Sequence, residues 1–103
     1  MGEIIKKLAA SWEARKKAAA ELAPIHREWK PLQDKFYQLS RRLKSLGKDD
    51  PEYNSTREKL DQVDRAMVAL YHKEKAVVDK YGISRSYLDS LRKRAGLLTG
   101  LSI

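Results

Sequence analysis

The sequence has no cysteine, only three prolines, five glycines and one phenylalanine in 103 residues. It also has no apolar run near the ~18 residues that cross a bilayer. Each shortage excludes something. Without cysteine there are no disulfides and no thiolate metal sites, so side-chain burial alone must hold a chain close to the smallest size that one core stabilises. Few glycines and prolines, 8% aromatics and 35% charged residues exclude a loop-rich or collagen-like chain and suit long helices with solvated outer faces. Residues 1–6 lack a hydrophobic signal core, and Lys6 stands where a myristoylation motif requires Ser or Thr. These absences lead us to expect a cytoplasmic protein without membrane insertion. There is no glycine-rich phosphate loop, carboxylate constellation or nucleophile with its base, so we expect neither an enzyme, nor a cofactor, metal or small-molecule substrate. Two Ser-x-x-Lys matches, at Ser45 to Lys48 and Ser90 to Lys93, lack any supporting second motif and are read as chance.

What is present is periodicity. Tyr53, Thr56, Leu60, Val63, Met67, Leu70, Glu74, Val77 and Tyr81 recur at alternating spacings of three and four, the pattern that draws one stripe along a helix. Upstream, Leu22, Trp29, Leu32, Phe36, Leu39, Leu43 and Leu46 answer it in reverse order. Folding the chain at residues 47–52 pairs Leu46 with Tyr53, Leu43 with Thr56, Leu39 with Leu60, Phe36 with Val63, Leu32 with Met67, Trp29 with Leu70 and Leu22 with Val77. The expected fold is all-α, an antiparallel helical hairpin in a single domain: arm one 3–46, turn 47–50, arm two 51–81, third helix 85–95 and tail 96–103. His26 falls opposite Glu74 as a polar break in the seam, with Arg15 and Thr56 the other polar interruptions, while His72 points away.

Local chemistry marks the ends. Gly47 offers a left-handed cap, Asp50 an N-cap, Pro51 a first helical position and Glu52 a dipole partner. Pro24 and Pro31 each remove a backbone donor and crowd the carbonyl four residues back, which predicts a kink or short break between residues 23 and 31. Ser84 or Ser86 caps a short third helix closed by Gly96. With arm two ending opposite Ala18, this third helix is expected to cover Ile5, Leu8 and Trp12. The tail from Leu97 reads as a docked strap or a mobile apolar tag.

Charge is uneven. Residues 1–48 hold 12 Lys/Arg against 5 Asp/Glu, residues 49–72 hold 3 against 6, and residues 73–103 hold 7 against 3. An antiparallel hairpin brings the two basic ends together, and such a pole attracts nucleic acid, anionic membrane or an acidic protein face.

Residues 74–93 carry Val77 and Val78, Gly82, Ile83, then Leu88 and Leu91, a pattern that resembles the helix-turn-helix unit of bacterial and phage DNA-binding proteins. Gly82 permits the tight turn, and the apolar positions are expected to lock two helices at a steep angle. Val78 departs from the small residue usual at its position, and Asp89 falls on the side that would face the groove. The resemblance implies that Arg85, Ser86 and Ser90 face base edges while Lys80, Tyr87, Arg92, Lys93 and Arg94 lie near phosphates. It implies a small DNA-binding protein of phage or mobile-element type, with the hairpin serving homodimerisation or partner binding. The alternative is a coiled-coil adaptor, scaffold or inhibitor that grips another protein and has no nucleic-acid role. Exposed aromatics such as Trp12, Tyr37 and Tyr71 would favour it.

Overall fold

The structure, a computed structural model, describes residues 2–97, with side chains from Ser11 onward. Three helices follow one another: α1 (Gly2–Ser45), α2 (Pro51–Tyr81) and α3 (Arg85–Arg94). No strand occurs among the described residues. The molecule is a rod, 69 × 18 × 18 Å. Cross-contacts at His26–Glu74, Lys80–Glu21 and Arg42–Glu52 set α1 and α2 antiparallel along it.

Two clusters follow the seam. Trp29, Met67, Leu70 and Leu97 are buried together, with Leu32 and Phe36 against them; Ala18, Leu22 and Ile83 form the other, with Val77 and Tyr81 against them. These memberships agree with the pairings of Trp29 with Leu70, Leu32 with Met67 and Leu22 with Val77. Thr56 and Val63 are buried nearer the turn.

The prolines leave α1 unbroken from Gly2 to Ser45. Both rings are exposed, and so are Ala20 and Arg27, the residues four positions before them. The missing donor and the displaced carbonyl therefore lie on the wet side, where water satisfies them, while Leu22, His26 and Trp29 continue the packed face without interruption.

The turn uses three of its signals as expected, with Glu52 in the first turn of α2, and one differently. The Asp50 side chain accepts from the Glu52 amide at 2.8 Å, and Pro51 opens α2. Gly47, however, has no positive φ. Its carbonyl accepts from the Asp50 amide at 2.9 Å, and the Leu46 amide bonds to the Leu43 carbonyl at 3.2 Å, so α1 closes by a tightened last turn before Gly47 is reached. The left-handed conformation appears instead at Gly82 (φ 61°) and Gly96 (φ 76°). At Gly96 it closes α3, with the Leu97 amide reaching the Arg92 carbonyl at 2.9 Å.

Candidate interaction site

The placement of α3 decides what the basic pole offers. Ser84 caps it, its hydroxyl accepting from the Tyr87 amide at 3.3 Å. Near its start the Tyr87 hydroxyl donates to the Arg15 carbonyl at 3.3 Å; just past its end the Gln33 amide donates to the Gly96 carbonyl at 3.4 Å. From Arg15 to Gln33 is about 27 Å along α1, more than the ~15 Å length of α3 itself. The helix and its flanking side chains bridge that distance only by lying along the rod, alongside α1 and in the same direction. The expected steep crossing over α2 is therefore not what forms. Nor does α3 reach Trp12, which is 61% exposed; Ile5 and Leu8 lie outside the described side chains. The third helix is drawn back toward the hairpin turn because its anchors, Arg92 and Leu97, sit at its far end.

Arg92 is the stronger anchor. Sequence reasoning placed it near phosphates, but it is 8% exposed and lies in the core. The Arg92 Nε donates to Glu74 Oε2 at 3.0 Å, and Nη2 pairs with Glu74 Oε1. On the other side of the carboxylate, His26 Nε2 stands 2.7 Å from Oε2. The guanidinium also lies over the Trp29 ring, 5.4 Å from its centroid. Burial by itself raises the Glu74 pKa, yet the hydrogen bonds from His26 and Arg92 and the Arg92 charge outweigh it and hold the carboxyl below its ordinary range. Glu74 in turn raises the Arg92 pKa. One carboxylate thus ties together all three helices.

The His26–Glu74 contact was legible from the seam. Arg92 was missed, although a signal existed: a seam carboxylate facing a single histidine still has acceptor capacity to satisfy, which calls for a cation from the remaining element.

The other residues of the helix-turn-helix resemblance divide as follows. Val77, Val78, Leu88 and Leu91 pack against the cluster that holds Ile83, and Gly82 makes the left-handed turn. Arg85, Ser86, Lys93 and Arg94 are exposed. Tyr87 is half-buried against that cluster with Arg15 over its ring, and Ser90 turns its hydroxyl back to the Tyr87 carbonyl at 2.7 Å. Lys80 is exposed beside Glu21, at 3.3 Å. The outer face of α3 is left with Ser86, Asp89 and Lys93 between the flanking Arg85 and Arg94. Tyr71 packs against the Trp29 cluster, so of the three aromatics named as interaction candidates Trp12 and Tyr37 alone are exposed.

Two clefts flank α3. The one shared with α2, about 410 Å³, is lined by Lys75, Asp79, Arg85 and Asp89, whose charges offset one another. The one shared with α1, about 420 Å³, has a floor of Ala19, Leu22, Ala23, His26, Leu91 and Ala95, rimmed by Arg27 and Arg94. Both arginines are exposed, and no carboxylate pairs with either among the described residues. No group of three or more metal-ligating side chains occurs among the described residues, and no described helix is long and apolar enough to cross a membrane.

The fold and this pole define a class: a three-helix rod whose short third helix is clamped along a long hairpin by a buried Arg92–Glu74 ion pair that also holds His26. Compared with family models, curated proteins and solved structures, the chain finds no match in any of the three.

Proposed function

We propose that the protein is a helical adaptor whose basic pole grips an acidic surface on another protein. The observation that carries this reading is Trp12, 61% exposed on α1 at the level of the turn between α2 and α3. A tryptophan exposed beside Arg15, Lys16 and Lys17 combines an aromatic with basic side chains, residue types that serve as anchors at protein interfaces. The burial of Arg92 and the alignment of α3 along the rod lower the case for a groove-reading helix, because both take basic and protruding character away from α3.

A second reading, duplex DNA binding through α3, keeps one observation in its favour. Arg85, Lys93 and Arg94 are exposed on a single short helix, none with an ion-pair partner among the described residues. A titration with random duplex DNA from ~50 to ~200 mM salt, with molecular mass measured in parallel, separates the two. The adaptor reading expects little binding at any salt and no response to Arg85→Ala or Lys93→Ala. Duplex binding that falls steeply with salt, and that Lys93→Ala weakens on all sequences alike, would replace it with the nucleic-acid reading.

A further inference from the structure

We infer that the cleft between α1 and α3 is the seat of the partner, and that the partner enters it as an acidic amphipathic helix. This inference rests on the adaptor reading and names the chemistry of what is gripped. The cleft is not isolated on the surface: Ala19 and Ala23 follow Trp12 by seven and eleven residues, two and three helical turns, so all three share one line along α1. That line ends at Arg27, across the cleft from Arg94. From Trp12 to Arg27 is about 22 Å, the length of a helix of about 15 residues. The small floor residues Ala19, Ala23 and Ala95 let a second helix approach closely. Trp12 supplies an apolar anchor at one end, and two unpaired guanidiniums await carboxylates at the other.

Charge argues against the other occupants. A second copy would bring the same basic pole, setting Arg27 and Arg94 against like charge. Residues 98–103 carry no acidic side chain.

The probe is a labelled helical peptide of about 15 residues built from Leu, Ala and Glu, with the leucines on one face, alongside the same peptide with Gln for every Glu. By anisotropy, the Glu peptide should bind the full chain at least about tenfold more tightly than the Gln peptide, and Arg27→Glu should weaken it by about tenfold. Ala23→Leu, which fills the floor without changing charge, should weaken it similarly. Lys44→Glu, the same charge change at the far end of the rod, should leave it unchanged, and Trp12 emission should shift to the blue on binding.

The inference is overturned by any of several results. Lys44→Glu weakening binding as much as Arg27→Glu is attraction without a site. Peptide binding only to a chain ending at Leu97 makes the tail the occupant. A doubled mass that Ala23→Leu returns to monomer makes it a second copy. A blue shift on anionic phospholipid vesicles, with no peptide bound, makes it a membrane. None of these sinks the adaptor reading except the last, and only duplex binding diminished by Lys93→Ala transfers the protein to the nucleic-acid class, so the two failures are read on separate channels.

Discussion

The two ends of the rod are built from the same helices but bury very different interiors. Around residues 18–29 of α1, 67–81 of α2 and the turn that follows it, with α3 alongside, Ala18, Leu22, His26, Trp29, Met67, Leu70, Glu74, Ile83, Arg92 and Leu97 are all buried. Toward the turn, where only α1 and α2 meet, Thr56 and Val63 alone are buried, and Leu32, Phe36, Leu39, Leu43, Leu46 and Leu60 stay half-exposed. Two helices close one line of contact and leave both flanks wet; a third wall excludes water from a whole cross-section. Each end also holds a buried polar residue, but Thr56 is a single hydroxyl whereas Glu74 is an ion with three donors. The thicker interior admits the costlier group because α3 delivers the cation that compensates it.

The sharpest way to break the comparison is at that carboxylate. Glu74→Ala should strand the Arg92 charge and cost about 3–5 kcal/mol in denaturant unfolding, against about 1 kcal/mol for Thr56→Ala at the thin end. Equal losses at the two positions would show that α3 adds no dry interior. Next in size, Leu22→Ala, at a fully buried position, should cost about 2–5 kcal/mol, while the half-exposed Leu39→Ala should cost about 1–2 kcal/mol. A Leu39 variant as damaging as the Leu22 one would mean that the turn end is packed more tightly than its exposure implies.

Acid should find the same difference. The Glu74 pKa is lowered in the fold, so its contribution is present above the unfolded pKa and disappears as pH falls through the folded value. The parent chain should therefore lose stability below about pH 5, and Glu74→Gln, though less stable at neutral pH, should lose less over that range. Parallel pH profiles for the two would contradict the assignment.

The smallest contrast lies in the glycines of the two turns. Gly82→Ala places a side chain at φ 61° and should cost about 1 kcal/mol through backbone strain alone, since nothing lies within 4 Å of the added carbon. Gly47→Ala meets neither obstacle and should be neutral or stabilise by a few tenths of a kcal/mol in a thermal melt.

The sequence by itself determined the hairpin, its register from Leu22 to Leu32, the Asp50 and Pro51 start of α2 and the His26–Glu74 contact. These depend on helical periodicity and on side chains bonding to nearby backbone, both of which are written in spacing. Tertiary structure decided the rest. Exposed and buried arginines have the same residue type, so only the arrival of α3 beside an unsatisfied carboxylate could draw Arg92 inward. The direction of α3 likewise depends on anchors at its far end, Arg92 and Leu97, and not on the Gly82 turn that begins it. The prolines predicted a disturbance from their chemistry, but α1 stays continuous because both rings, and Ala20 and Arg27 four residues before them, fall on its exposed face, away from the buried Leu22, His26 and Trp29.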